Sequence, residues 1–375
     1  MTPRTVAAFT DTYLPTVNGV TYTLESWRRR WRERGGRMDV VFPGAPDYEP
    51  GEGEYTTRSV GFPFYDGFRM GLPGVPDAVH DAEVVHAHTP FALGLSGWYL
   101  ARKLDAPLVA SYHTPTAEYA DYLAAGPAAA VVEGAARRYE RRYMNAADAV
   151  VVPSEPAGEH LRNIGVHSRV EVVPNGVDTD FFARPPDDEV RAFRRRHDLP
   201  APGEAPLVGY TGRHGFEKEL EEIPPAVAAA DGEPTLVFGG DGPAREAVRE
   251  ACEAAGVDAR FLGFLPREEL PAFYAGLDAF LFPSPVETQG LVALEANACG
   301  TPVVGVNAGA LADTVDDGVT GAHYPRGDTA AFAAAIDRTL ADRDALSAAC
   351  LDRRDATSVE HAVDRLAEVY AAVTE

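Results

Sequence analysis

Nine short runs of β-branched and apolar residues, separated by longer stretches with helical spacing, leave few folds open to this chain. The runs are 5–9 (TVAAF), 38–42 (MDVVF), 82–87 (AEVVHA), 107–112 (PLVASY), 149–153 (AVVVP), 206–212 (PLVGYTG), 235–240 (TLVFGG), 279–284 (AFLFPS) and 301–306 (TPVVGV). They are nearly continuous in apolar residues rather than alternating, the pattern of strands buried on both faces of a parallel sheet. Between them, Leu93–Leu104, Gly126–Ala146, Ala244–Ala255 and Leu291–Cys299 space their apolar residues as helices do. Strand and helix in alternation predict doubly wound α/β domains, whose ligands bind beyond the carboxyl ends of the strands. The chain has 375 residues, enough for two such domains. The series breaks at 183–206 (ARPPDDEVRAFRRRHDLPAPGEAP), a segment rich in proline and charge that reads as a linker region. The expected organisation is a Rossmann-like domain over 1–180, a second over 181–355 and a cleft between them. A last amphipathic helix, within 356–375, is free to pack back on the first domain.

Charge narrows the function. The net charge of −23 argues against a general nucleic-acid binder, because phosphate backbones need basic surfaces. Only two of the 34 basic residues are lysines, Lys103 and Lys218. Excess carboxylates with lysine almost absent suit a high-salt environment, where screening is strong, and a genome that favours arginine codons gives the same bias. Residues 1–180 hold 17 basic and 23 acidic groups, so the N-terminal half is the less acidic one. No run reaches the roughly 18 apolar residues that a membrane span needs, and the N-terminus has no signal-peptide pattern. Cys252, Cys299 and Cys350 are widely spaced and odd in number, which fits a reducing, cytoplasmic setting and no metal motif.

The stretch VETQGLVALEANACGTPVVG (286–305) places Glu287 and Glu295 eight residues apart, about two and a fifth helical turns. Gly290 is a plausible break before a helix starting at Leu291, with Glu287 in the loop and Glu295 inside the helix. The two carboxylates then flank a helix N-terminus, whose unbonded N–H groups and partial positive charge suit a phosphate. Carboxylates accept hydrogen bonds from hydroxyls. A nucleotide sugar carries sugar, diphosphate and ribose in that order and uses all three features.

PSPVETQGLVALEANACGTPVVG (283–305) resembles the signature of glycosyltransferase family 4, in which E-x7-E stands between a Pro-Ser turn and a Gly-x-Pro-Val-Val strand. YTGRHGFEK (210–218) resembles the family's Gly-Arg segment, with a lysine five residues after the arginine. The family usually has glycine after that lysine, whereas Glu219 stands here at the head of an acidic run. FTDTYLPTVNGV (9–20) resembles the first strand and glycine loop, SYHTPTAEY (111–119) the segment with a strand-end histidine, and VVPNGVDTDFF (172–182) the hinge between domains. GGDGPARE (239–246) and FLGFLPREEL (261–270) resemble later strand-to-helix turns, and the whole likeness runs over about residues 8–325.

The resemblance implies the GT-B arrangement of two Rossmann-like domains and a retaining, metal-independent transfer of a hexosyl group from a UDP- or GDP-linked sugar, with no cofactor. It gives His113, Arg213, Lys218 and Glu287 catalytic roles. Gly19, Arg213, Lys218, Glu287, Gly290, Leu291 and Glu295 become donor contacts, Glu295 at the ribose, and Asn18 and Tyr13 acceptor contacts. Arg213, Lys218 and the helix N-terminus would meet the charge of the leaving diphosphate. The reaction it implies is front-face, the leaving phosphate helping to deprotonate the acceptor. Asp178-Thr179-Asp180 reads as D-x-D, a metal motif of another glycosyltransferase fold, but follows PNGV in the hinge segment. His86, His88 and His113 lack the carboxylates or cysteines that would complete a metal site, and no G-x-G-x-x-G follows the first strand.

HTPFALGLSGWYLARKL (88–104), SYHTPTAEY and the ETQG variant look most like members that glycosylate membrane lipids, which implies a lipid or lipid-linked acceptor. ESWRRRWRERGGR (25–37), with Trp27 and Trp31 among arginines, and ARRYERRYMN (136–145) suit peripheral contact with an anionic membrane. Against that, Leu24, Trp27 and Trp31 at helical spacing also describe a helix with its apolar face turned inward. A soluble sugar or polysaccharide acceptor, a sugar-nucleotide epimerase and a silent nucleotide-sugar-binding protein are the other readings.

Overall fold

The structure, a computed structural model, describes residues 4–61, 69–113 and 127–375. The chain divides into two compact units, Met1–Gly176 together with Val359–Glu375, and Val177–Ser358. Strands of the first unit are β1 (Thr5–Phe9), β2 (Arg37–Pro43), β3 (Glu54–Thr57), β4 (Ser59–Gly61), β5 (Arg69–Gly71), β6 (Val84–Ala87), β7 (Leu108–Ser111), β8 (Ala149–Val152) and β9 (Arg169–Val172). Among the described residues its main sheet has seven strands in the order β3-β2-β1-β6-β7-β8-β9, and every pairing is parallel. Alternate residues of β1 serve opposite faces. Ala7 and Phe9 pack with Val85, Leu100 and Val150, while Val6 and Ala8 pack with Trp27, Val363 and Leu366. Each fully buried Val, Leu or Phe in such a layer contributes about 1.5–3 kcal/mol, which is why both faces need helices over them.

Helix α1 (Gly19–Glu33) and the last helix, Val359–Thr374, cover one face of this sheet. Arg34 pairs with Asp364 at 2.6 Å and Arg30 with Glu360 at 2.6 Å, and Trp31 meets Tyr370 edge to face at 5.3 Å. Trp27 is fully buried and Trp31 is 6% exposed. Their indole nitrogens donate to the backbone oxygens of Asn175 at 2.7 Å and Arg4 at 2.9 Å. This corrects the membrane expectation for 25–37: the tryptophans are core, and an indole that is buried and bonded to main chain is not available to lipid. The segment 114–119 of SYHTPTAEY lies outside the described residues.

The second unit carries β10 (Leu207–Thr211), β11 (Thr235–Gly239), β12 (Ala259–Gly263), β13 (Ala279–Phe282), β14 (Val303–Val306) and β15 (Gly321–Tyr324). These form a six-stranded parallel sheet in the order β12-β11-β10-β13-β14-β15, a doubly wound order that reverses between β10 and β13. The supposed linker is also corrected. Asp187–Arg196 is a helix with Asp187, Asp188 and Glu189 in its first turn and three arginines in its last, the charge order that a helix dipole favours. Its Val190 and Phe193 are buried, and Arg194 donates through Nε to the Gly276 carbonyl at 3.0 Å. Among the described residues no helix is long and apolar enough to cross a membrane.

Candidate active site

Two neighbouring strand ends at the reversal point of the second sheet lead into the segments that hold all the predicted donor residues except Gly19, which lies in the first unit. β13 ends at Phe282, and the chain turns through Glu287 to Gly290, which caps the helix Leu291–Ala298. Gly290 has φ +79, and a Cβ there would meet Leu311 Cδ2 at 2.8 Å. Both the left-handed backbone and the close packing call for glycine. Leu291 opens the helix: the N–H groups of Ala293 and Leu294 bond the Gly290 carbonyl at 2.9 and 3.4 Å, and those of Leu291 and Val292 precede the first helical carbonyl they could reach. Glu287 sits in the loop, and its backbone oxygen accepts from Ala310 N–H at 3.3 Å. Glu295 is the fifth helical residue; Tyr274 donates its hydroxyl to Glu295 Oε2 at 2.7 Å. Burial pushes the Glu295 carboxyl up to about 7, against the lowering pull of the Tyr274 bond and the Arg267 charge.

β10 ends at Thr211 and leads into the Gly-Arg segment. A Cβ on Gly240 would fall 1.9 Å from the Gly212 carbonyl oxygen, so the turns after β10 and β11 lie backbone against backbone. Arg213 pairs with Glu217, and Phe216–Lys218 forms a short 3₁₀ turn. Lys218 Nζ donates to Glu287 Oε1 at 2.6 Å, and both side chains are less than one-fifth exposed. Glu219, at the position the family gives to glycine, holds φ +51, so a non-glycine residue occupies the left-handed state. Its carboxylate is bound by Arg326, Nε to Oε2 at 3.0 Å.

The first unit presents its candidates at the ends of β1, β6 and β7. Asn18 caps α1: its Oδ1 accepts from Thr21 N–H at 3.0 Å and its Nδ2 donates to Thr12 Oγ1 at 2.7 Å. Gly19 follows as the first helical residue and is exposed. Tyr13 does not present itself as an acceptor contact. It is 3% exposed, its ring lies 4.8 Å from that of Phe42, and its hydroxyl donates to Glu54 at 3.4 Å.

His113 stands two residues beyond β7, with its Nε2 3.1 Å from His88 Nδ1 and the Asn175 side chain hydrogen-bonded to it. His88 stacks on His86 with ring centroids 4.0 Å apart and on His113 at 5.4 Å. Trp27 lies 6.0–6.2 Å from all three rings. His86 is bonded on both nitrogens, Nδ1 to the Tyr370 hydroxyl at 2.6 Å and Nε2 to Ser111 Oγ at 2.8 Å. His88 Nε2 is buried and finds no hydrogen-bond partner among the described residues. Burial pushes His86 down to about 3 and His113 to about 4, and holds His88 well below the ordinary histidine range. All three are therefore neutral near pH 7. Their rings stack, and among the described residues no group of three metal-binding side chains occurs. A hollow lined by Thr12, Val20, Thr89, Phe91, His88 and His113 opens beside them.

Sequence reasoning missed Tyr274, Arg326 and Tyr370, each tens of residues or more from its partner (21 for Tyr274 and Glu295, 107 for Arg326 and Glu219, 284 for Tyr370 and His86). No local signal marks any of them. His86, His88 and His113 were visible together as metal-ligand candidates lacking a completing carboxylate or cysteine, but not as a stack.

Residues 17–181 match the profile of the family described as Glycosyltransferase Family 4, and residues 193–353 that of Glycosyl transferases group 1. A GDP-mannose-dependent alpha-mannosyltransferase of Corynebacterium glutamicum is 30% identical over 85% of this chain and 76% of its own. An alpha-monoglucosyldiacylglycerol synthase of Streptococcus pneumoniae is 28% identical over 85% of this chain and 75% of its own. Among solved structures, a sucrose-phosphate synthase from Thermosynechococcus elongatus superposes with a TM-score of 0.78 at 22% identity, covering 99% of each chain.

Proposed function

The chain belongs to glycosyltransferase family 4, with the two parallel-sheet domains of the GT-B fold, and on that premise we propose that this glycosyltransferase moves a hexosyl group from a UDP- or GDP-linked sugar to a lipid or lipid-linked acceptor. The observation that carries the donor half is the 2.6 Å contact between Lys218 and Glu287. Each was singled out by a separate motif, 69 residues apart, and the fold brings them to one point. In this reading Lys218 and Arg213 turn to the diphosphate, where their charge stabilises the leaving group. Glu287, released from Lys218, takes the sugar hydroxyls, Gly290 and Leu291 present the helix N-terminus, and Glu295 takes the ribose. His113 contacts the donor sugar, and Asn18 and Gly19 lie on the acceptor side.

The step balances without a metal or cofactor. The acceptor oxygen bonds to the anomeric carbon, the bond from that carbon to the phosphate oxygen breaks, and the acceptor proton goes to the departing phosphate on the same face. Configuration is retained. Glu219 does not compete for Lys218, because its carboxylate is bound by Arg326. That weighs against a silent nucleotide-sugar-binding protein.

The lipid half rests on the diacylglycerol named for one relative and on the helix Pro127–Met144, where Arg137, Arg138, Arg141 and Arg142 are exposed and Tyr139 is 38% exposed. Peripheral contact with the cytoplasmic face of a membrane in a high-salt cell follows from it, apolar contacts carrying most of the attraction once salt screens the arginines. The test is co-sedimentation of the protein with vesicles of anionic polar lipid at molar salt. Binding lost on changing Arg137, Arg138, Arg141 and Arg142 together to Ser supports the lipid reading. A protein that stays in the supernatant yet transfers sugar to a soluble glycan replaces it with the polysaccharide acceptor.

A further inference from the structure

His86 has no part in the reaction just described, yet it is fully buried and bonded at both ring nitrogens. A neutral imidazole has one N–H and one lone pair, so its two hydroxyl partners cannot play the same role. A phenol is the more acidic hydroxyl and the better donor. Tyr370 therefore donates to Nδ1, and Nε2–H donates to Ser111 Oγ. Ser111 is the last residue of β7, two before His113. In this way the Tyr370 hydroxyl selects the tautomer that ties His86 to the strand end carrying His113.

A second line runs through the rings. The face of His86 lies 4.0 Å from that of His88, whose Nδ1 meets His113 Nε2 at 3.1 Å. Trp27 closes the stack from the side, and its N–H bonds the backbone of Asn175, whose side chain holds His113. We propose that Tyr370, on the last helix, is a positioning residue for His113, acting through its hydrogen bond to His86 and the ring stack that joins His86, His88 and His113. The inference rests on the reading of His113 as a donor-sugar contact. It gives the returning C-terminal helix a part in transfer beyond covering the sheet.

Tyr370→Phe removes only the hydroxyl and keeps the ring edge against Trp31. Steady-state transfer would be measured for the parent, Tyr370→Phe and His113→Ala, with ¹⁵N spectra of histidine-labelled protein. The expected result is a kcat lowered roughly tenfold in Tyr370→Phe, the low end of the loss seen when the hydrogen-bond partner that orients a metal-ligating histidine is removed. Donor KM stays unchanged, and the His86 and His113 ring nitrogens move from single-tautomer towards averaged shifts. A Tyr370→Phe enzyme with parental kcat, beside a dead His113→Ala, overturns the proposal and leaves the role of His113 standing. An active His113→Ala overturns both. Should Tyr370→Phe not fold, the parent spectrum decides: a single His86 tautomer protonated at Nε2 supports the proposal, and a mixture of tautomers overturns it.

Discussion

At the strand ends of its two sheets the molecule offers opposite chemistry. The second sheet ends in ions, with Lys218 on Glu287, Arg213 on Glu217 and Arg326 on Glu219, and its unit also holds a buried carboxyl, Glu295, that burial pushes up to about 7. The first ends in three stacked neutral imidazoles against an indole. An ion-lined edge suits a diphosphate, whose charge the cations can take over from their present partners. A neutral, stacked edge holds its groups in one geometry and suits hydroxyl-bearing, uncharged chemistry. The two edges also respond to pH in opposite senses. Glu295 has a folded pKa above its unfolded value, so the stability it carries falls as pH rises from about 4.5 to 7. His86 and His113 have folded values below 6.5, so their share falls as pH drops below 6.5.

The sharpest way to break this contrast is Glu287→Ala. It removes the carboxylate proposed to hold the donor sugar and leaves Lys218 without its partner. Transfer should fall 10²–10³-fold, the range typical of losing one electrostatic contact in a transition state, while thermal melting changes little. Next is Glu295→Gln, which keeps an acceptor for Tyr274 and removes the buried ionisation. Denaturant titration should show it more stable than the parent by about 3 kcal/mol at pH 8 and by less than about 1 kcal/mol at pH 5, while donor affinity drops. Acid should act through the other edge. At pH 5 the parent should lose about 2 kcal/mol for each of His86 and His113 relative to pH 8, and His86→Gln should remove the His86 share while the His113 share remains. The smallest effect belongs to Glu219→Gly. Relief of the left-handed residue is offset by loss of its ion pair with the exposed Arg326, so neither change dominates. Stability and donor KM should stay within error, and a large rise in KM would mean that Arg326 holds the lysine turn through Glu219.

The contrast was only half legible in the sequence. All nine expected strands are present, because parallel strands buried on two faces leave unbroken apolar runs. β3, β4, β5, β9, β12 and β15 were not expected: β9 (RVEV) and β12 (ARFLG) are edge strands part open to solvent and need not be apolar throughout, β3 to β5 are short and polar, and β15 (GAHY), though largely buried, is a four-residue run without a branched aliphatic residue. The acidic and basic turns of Asp187–Arg196 looked like a charged linker, although the same order of charges is a helix signal. In the proposed donor region, Glu287, Gly290 and Glu295 fall within nine residues and could be read directly. The partners that define their state, Lys218 and Tyr274, are brought in by β10 and the helix Leu270–Gly276, and no local pattern carries that information. The histidine stack is assembled from β6, β7 and the last helix, and so was the least visible part.

The most direct test of the account is sugar transfer at molar salt. Purified protein would be given labelled UDP-glucose, UDP-galactose or GDP-mannose with extracted polar lipid, and both released nucleotide and labelled lipid would be counted for the parent, Lys218→Ala and Glu287→Ala. One donor should label lipid with the parent, and both variants should lose the transfer. Transfer that survives unchanged in both variants would contradict the central claim, that the Lys218–Glu287 contact marks where the donor is held.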